Sequence, residues 1–264
     1  MGDQQTSRKL LGWLLVPLLV VVAAGAWFAF NPAFRLGRPA PDVSAALPKD
    51  EFEQRVRDYI LNNPEIIMEA ARRFEQRQRA AEESEATAVL KARADEIFRD
   101  KDSPVGGNPN GNVTLVEFFD YNCPYCRQVT PIMQEAEKAD PQLRVVYKEF
   151  PILGPNSTFS AKAALAVYRQ GKYLAFHKEL MLERGVADEA KVLKIAAKIG
   201  VDVDRMKSDM NDPAITAMVE RNLALAQALR INGTPGFVIG DQIVRGAVDL
   251  KTLQALIQEA RGKQ

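Results

Sequence analysis

Residues 116–126 read Val-Glu-Phe-Phe-Asp-Tyr-Asn-Cys-Pro-Tyr-Cys, so an apolar and aromatic run leads directly into two cysteines separated by two residues. The run from Val113 to Phe119 predicts a buried β-strand. Pro124 suits the first turn of a following helix, because the N–H that proline lacks has no intrahelical partner there. Unpaired N–H groups and the positive dipole end at a helix N-terminus stabilise a thiolate. The pattern therefore predicts Cys123 as the nucleophile and Cys126 as the resolving thiol.

The cysteine count favours redox chemistry over a structural role. The chain has 264 residues, two cysteines and one histidine. A disulfide-stapled scaffold generally uses more cysteines at longer spacing. A zinc site generally needs two further ligands, and no third cysteine or nearby histidine supplies them, so we expect no metal or other cofactor. The formal net charge of +1 argues against a nucleic-acid-binding protein.

A second motif, Gly233-Thr234-Pro235-Gly236, precedes a hairpin pattern centred on residues 240–242. Taken alone it would indicate an ordinary Pro-Gly turn. A cis peptide at Thr234–Pro235 would instead place the Thr234 backbone beside the sulfurs, and cis peptides are essentially a proline feature. Its combination with a strand, a Cys-x-x-Cys pair and a helix favours the cis interpretation.

The order of predicted elements completes the α/β pattern. A second strand is predicted over Leu143 to Phe150, a helical block over 157–229 and a closing helix over Leu250 to Ala260. Together with residues 116–126 and Thr234-Pro235, these elements resemble the DsbA-like thioredoxin-fold family. The resemblance implies a thioredoxin fold over 105–264 with an inserted helical domain at about 157–229. It also implies activity as a thiol–disulfide oxidoreductase on protein substrates, with a membrane redox partner that resets the site.

Residues 49–101 are rich in Glu, Arg, Gln and Ala and predict helix, with a break at Asn62-Asn63-Pro64 that makes Pro64 the first residue of a second helix. Apolar residues recur at helical spacing at Phe52, Val56, Tyr59, Ile66, Ala70 and Phe74. The segment is either a solvated spacer or, as we favour, a self-association module, since no neighbouring helix is available to cover the stripe. A second apolar patch follows at Val89, Leu90, Ile97 and Phe98.

The stretch 52–74 resembles the N-terminal segment of ScsC-type (suppressor of copper sensitivity) relatives. That resemblance implies a homo-oligomer, formed through residues 49–74, that supports disulfide isomerase activity.

The N-terminus carries a membrane or export signal. Arg8 and Lys9 precede an uncharged run over 10–30 that would form a helix about 30 Å long, close to the hydrocarbon thickness of a bilayer. It is either an uncleaved anchor or a signal peptide cleaved near Ala24-Gly25-Ala26. Residues 31–48 contain four prolines and predict a linker. Either interpretation predicts a periplasmic protein, tethered to the inner membrane in the first case.

Glu117 and Lys148 are the charged residues of the predicted strands. They could form an edge-exposed pair of little consequence. Alternatively they form a buried pair that shuttles protons beneath Cys126, a role that the family resemblance supports more for Glu117 than for Lys148. We expect His177 to be a packing or surface residue without a catalytic role.

The direction of electron flow rests on the motif details. Pro124 and Tyr125 tune the thiolate, and the threonine at Thr234 resembles isomerase and reductase members more than the strongly oxidising DsbA proteins. We therefore predict a disulfide isomerase or reductase, with a DsbA-like dithiol oxidase as the alternative. A further alternative is a chaperone or copper-binding module without redox turnover, because two thiolates suit Cu(I).

Overall fold

The computed structural model describes residues 48–263. The predicted anchor or signal segment at 1–30 and the linker at 31–48, except for Pro48, lie outside the described residues. Within 48–263, none of the helices combines the length and the apolar character needed to span a bilayer. The chain divides into two units between Ala71 and Arg72.

The first unit contains helix α1 (Lys49–Asn62) and the beginning of helix α2 (Glu65–Ala92). The predicted break is present. Asn63 ends α1, and its side-chain amide donates a hydrogen bond to the Tyr59 carbonyl at 2.8 Å. Pro64 lies in the turn, so the second helix begins one residue later than predicted. No residue of α1 is buried.

The second unit is built on a mixed five-stranded sheet with strand order β1-β3-β2-β4-β5. Strand β2 runs parallel to β3, and the other neighbours are antiparallel. The strands are β1 (Val105–Gly107), β2 (Val113–Phe119), β3 (Leu143–Glu149), β4 (Gly236–Ile239) and β5 (Gln242–Arg245). The central strands and the hairpin confirm the predicted α/β fold.

Strand β1 was not predicted, because glycines dominate it and residues 104–112 read as turns. Gly106 is needed for close packing: a Cβ there would lie 2.9 Å from Cε2 of Tyr147. The bare glycine backbone lets the Tyr147 ring lie against the edge of the sheet.

Helices cover both faces of the sheet. Helix α3 (Ala94–Phe98) precedes β1, helix α4 (Pro124–Ala139) connects β2 to β3, and helix α10 (Leu250–Gly262) follows β5. The predicted helical insertion lies between β3 and β4 as α5 (Pro155–Tyr168), α6 (Tyr173–Leu182), α7 (Glu189–Lys198), α8 (Val203–Asp209) and α9 (Pro213–Ala228). Asp188, Asp202 and Asp212 each accept a backbone N–H at the start of α7, α8 and α9, which fixes where these helices begin.

The apolar patch predicted near residue 90 belongs to the second unit. Leu90 and Ile97 are buried against Val116, Phe118 and Val238 on one face of the sheet. Burial of a side chain of this size contributes about 1.5–3 kcal/mol. The segment predicted as one helical stalk over 49–101 therefore ends in residues that pack on the sheet.

Candidate redox active site

The two cysteines lie where strand β2 gives way to helix α4. Cys123 is the N-cap residue with extended dihedral angles, and Pro124 is the first helical residue. Cys126 is fully buried one turn further, and 4% of Cys123 is exposed. The two cysteines are not joined by a disulfide bond in this structure. Cys123 lies at the helix N-terminus and Cys126 one turn further, where the sequence placed them, but both cysteines are buried.

The second motif lies beside the first. The Thr234–Pro235 peptide bond is cis, as the sequence predicted. The thiol of Cys123 donates a hydrogen bond to the Thr234 carbonyl oxygen, with Sγ and O 3.2 Å apart. Residues more than a hundred positions apart in sequence therefore meet at the sulfur.

Position on the helix separates the acidities of the two thiols. The pKa of Cys123 is lowered to about 5, and the largest cause is a hydrogen bond from the Cys126 thiol. Hydrogen bonds from Thr234 and from the N–H groups of Tyr125 and Cys126 lower this pKa further, whereas burial opposes them. For Cys126, burial, the hydrogen bond with Cys123 and the charge of Glu117 raise the pKa well above the ordinary value. Near neutral pH, Cys123 is therefore a thiolate and Cys126 a thiol.

Glu117 lies in the interior near these sulfurs. Only 2% of the residue is exposed, and burial followed by the charge of Glu137 raises the pKa of its carboxyl to about 8. Among residues 48–263, no hydrogen bond or ion pair holds the Glu117 carboxyl. A buried carboxyl in this environment can accept or release a proton near neutral pH.

The predicted pairing of Glu117 with Lys148 is wrong. In the parallel register Glu117 lies opposite Tyr147, and Lys148 lies opposite Phe118. Because successive strand residues point to opposite faces, Lys148 lies on the face away from Glu117. Its ammonium donates to Asp100 Oδ2 at 2.7 Å and to the Glu96 carbonyl at 3.0 Å.

Comparison with known proteins places this site in a family. Residues 114–258, more than half of the chain, match the DSBA-like thioredoxin domain. The chain belongs to this family. Residues 49–81 match the N-terminal domain of the copper resistance protein ScsC. Both resemblances inferred from the sequence are thereby confirmed.

Solved structures agree with this assignment. A thioredoxin-like oxidoreductase from Silicibacter pomeroyi DSS-3 is 50% identical, with a TM-score of 0.63, over 64% of this chain and 97% of that chain. Proteus mirabilis ScsC in a transitional conformation is 31% identical, with a TM-score of 0.63, over 81% of this chain and 97% of that chain.

A curated relative, the Na(+)/H(+) antiporter NhaA of Herminiimonas arsenicoxydans, is 30% identical over 159 residues, which are 60% of this chain and 25% of that protein. The chain spans about a quarter of the length of the first curated relatives that it matches.

Three polar residues around the cysteines organise the neighbouring loops of this DsbA-like domain, and the sequence did not reveal them. Asp120 accepts the N–H groups of Ile152 and Leu153 at 2.9 and 3.0 Å. The side-chain oxygen of Asn122 accepts the N–H of Ala187 at 2.8 Å. Arg127 donates to the Gly185 carbonyl. Polar side chains within the motif are a local signal, but their loop partners are distant in sequence.

His177 is buried in the DsbA-like domain rather than lying on its surface. It packs 4.8 Å from Phe119 and 4.6 Å from Tyr147, measured between ring centroids. Burial lowers the pKa of His177 to about 3, so its imidazole is neutral near neutral pH. These contacts agree with the predicted packing role.

Proposed function

We propose that this protein is a periplasmic protein disulfide isomerase or reductase that works through Cys123 and Cys126. The observation that carries the proposal is the separation of the two thiols. Cys123 has a lowered pKa and lies at the helix N-terminus, 3.2 Å from the Thr234 carbonyl, whereas Cys126 is buried and has a raised pKa. A reactive thiolate beside a protected resolving thiol is the arrangement that thiol–disulfide exchange requires.

The reaction begins when the Cys123 thiolate attacks one sulfur of a substrate disulfide. The substrate S–S bond breaks, a mixed disulfide forms at Cys123, and the other substrate sulfur leaves as a thiolate. In isomerisation, a substrate thiolate then attacks the mixed disulfide and releases the Cys123 thiolate, so that no net oxidation occurs. The extended substrate backbone lies beside Thr234 and Pro235 in this proposal.

Reduction uses the second cysteine. Cys126 loses its proton to Glu117 and attacks Cys123 Sγ, which releases the substrate sulfur as a thiolate and forms the Cys123–Cys126 disulfide. Glu117 suits this role because its carboxyl is buried, has no hydrogen-bond or ion-pair partner within residues 48–263, and has a pKa raised to about 8. A membrane thiol–disulfide partner then reduces the pair and resets the site.

The second candidate is a dithiol oxidase. A lowered nucleophile pKa stabilises the reduced form and makes the disulfide more oxidising. The pKa of Cys123, about 5, lies between the values of about 7 for thioredoxin and about 3.5 for DsbA. This observation favours an oxidant of strength between those of thioredoxin and DsbA.

The test compares two forms of ribonuclease as substrates of the full chain. We expect strong recovery of activity from scrambled, fully oxidised ribonuclease and slow oxidation of reduced ribonuclease. The variant Cys123→Ala is the control and should do neither. If the protein rapidly oxidises reduced ribonuclease but leaves the scrambled form inactive, it is a dithiol oxidase and the proposed direction is wrong.

A further inference from the structure

A cavity of about 680 Å³ extends from Glu117 in the sheet to the surface beside helix α4. Its walls come from β1, β2, α4, β3 and α6. Glu117, Thr130, Glu137, Tyr147 and His177 are among the residues that line it. The cavity therefore brings two carboxyl groups, Glu117 and Glu137, to one space that opens to the surface, and the charge of Glu117 acts on the buried resolving cysteine, Cys126.

The two carboxyl groups are held differently. Glu137 is half-buried, and burial raises the pKa of its carboxyl. Its Oε1 accepts a hydrogen bond of 2.9 Å from the Tyr147 hydroxyl, which acts against burial and favours the carboxylate. Glu117 faces the cavity with no such donor among the described residues. A charged Glu137 therefore disfavours a second charge on Glu117, because like charges in a region of low dielectric repel strongly.

We propose that Glu137 is a positioning residue that acts together with burial to keep Glu117 protonated across the shared cavity and thereby delays the release of substrates by Cys126. The proposal rests on the function proposed above and specifies how the mixed disulfide divides between isomerisation and reduction. A protonated Glu117 cannot accept the Cys126 proton, so the mixed disulfide persists long enough for a substrate thiolate to attack it.

The electron and proton balance of the delayed step is simple. The Cys126 S–H proton passes to the Glu117 carboxylate, and the Cys126 electron pair forms the bond to Cys123 Sγ. The bond between Cys123 and the substrate sulfur breaks, so the cysteine pair is oxidised as the substrate is reduced. Only the fraction of molecules with ionised Glu117 can take this step.

Other groups around Glu117 do not replace the charge of Glu137. They are, by element, Cys126, Lys138 and Asp140 of α4 and its C-cap, Tyr147 and Glu149 of β3, and His177 and Lys178 of α6. Burial keeps His177 neutral and raises the pKa of Glu149 well above its usual range. Asp140 is paired with Arg261 at 2.6 Å, and both lysines are exposed.

The experiment follows the mixed disulfide directly. Full-length reduced protein reacts with an excess of a disulfide-linked peptide at pH values from about 5 to about 10. Each reaction is quenched with acid at set times, and mass spectrometry measures the fraction of protein present as the mixed disulfide. For the wild type we expect the rate at which Cys126 resolves the mixed disulfide to rise with pH, with a midpoint near the Glu117 pKa of about 8. In Glu137→Gln the midpoint should fall by about one pH unit, and decay at neutral pH should be about 3-fold to 10-fold faster.

Three matched variants give the controls. Glu135→Gln removes an exposed carboxyl from the same helix and should leave the profile unchanged. Glu137→Asp retains the charge and should restore most of the wild-type delay. Glu117→Gln should decay slowly at every pH, because it cannot accept the proton.

If folded Glu137→Gln loses the mixed disulfide at neutral pH at the wild-type rate or more slowly, the inference is overturned. If the wild type forms no mixed disulfide at all, the proposed function fails instead.

Discussion

At the scale of single residues, the site depends on two cysteines, one helical turn apart, that have different pKa values and different burial. Cys123 caps the helix, where N–H groups of Tyr125 and Cys126 lower its pKa, and Cys126 lies one turn deeper without exposure. The Cys126 thiol also donates toward the Cys123 sulfur, which is the largest cause of the lowered pKa. Each cysteine therefore sets the acidity of the other.

This dependence leads to a prediction about Cys123 acidity. In Cys126→Ala the donor is lost, so the pKa of Cys123 should rise from about 5, by about one unit or more. In Cys126→Ser the hydroxyl replaces the thiol as donor, and the pKa should rise less. The rate of iodoacetamide alkylation as a function of pH measures both values. Equal pKa values in the two variants would show that the donor has no such effect.

What the sequence predicted at this scale was local. The position of Cys123 at the helix N-terminus, the position of Cys126 one turn further and the burial of the strand that carries Glu117 follow from one strand–helix junction. Glu137 was not predicted, because its relation to Glu117 depends on how α4 lies on the sheet and on the Tyr147 hydroxyl from β3. Neither feature is encoded at a fixed spacing from the cysteines.

At the scale of elements, successive side chains of strand β3 point to opposite faces of the sheet, so its polar residues take part in two separate sets of contacts. Tyr147 faces the cavity beneath the cysteines, and Lys148 faces α3 on the other side of the sheet. There Lys148 is fully buried and pairs with Asp100, while Arg144 donates to the Phe98 carbonyl at 2.6 Å. These contacts hold the end of the N-terminal helices and the following turn against the sheet.

We therefore predict that Lys148 contributes to stability and not to proton transfer. Asp100→Ala leaves a buried ammonium without its counterion and should lower the free energy of unfolding by about 3 kcal/mol. Lys148→Met should cost less, because the Asp100 side chain is 17% exposed and can be solvated. Guanidinium unfolding of the full chain measures both changes.

The same variants test the corrected pairing. In folded Lys148→Met, the pH profile for decay of the mixed disulfide should match the wild type, because the sheet separates Lys148 from Glu117. A profile displaced as in Glu137→Gln would mean that Lys148 does act on the proton acceptor. The sequence predicted both strands correctly, but an assumed pairing of charges on adjacent strands ignored which face each residue occupies.

At the scale of the whole molecule, the chain combines a redox unit with N-terminal helices that expose apolar side chains. In α1, 55% of Phe52 and 61% of Tyr59 are exposed, and Val56 and Leu61 are exposed beside them. The predicted stripe is thus present, and among the described residues 48–263 nothing covers α1, none of whose residues is buried. Periodicity predicted the stripe, but a stripe cannot by itself specify the surface that covers it.

The stripe lies within residues 49–81, which match the ScsC N-terminal domain, and we propose that its exposed apolar side chains mediate self-association. We predict that Phe52→Asp combined with Tyr59→Asp lowers the oligomeric state, because burying two carboxylates in an apolar interface is costly. Analytical ultracentrifugation of the full chain, with the hydrophobic N-terminal run held in detergent, measures the change. Asp58→Asn, an exposed polar position on the same helix, is the matched control and should leave the oligomer intact.

The variant with both Phe52→Asp and Tyr59→Asp should keep its reductase activity on small disulfides but lose most of its isomerase activity. Reduction of a small disulfide needs only Cys123 and Cys126 of one chain, so its rate should remain within about 2-fold of the wild type. Recovery of scrambled ribonuclease should fall about 10-fold, because several redox sites held around one substrate raise the effective concentration of thiolate. An oligomer that dissociates without loss of this recovery would show that one redox unit suffices, and that the N-terminal helices serve another purpose than isomerisation.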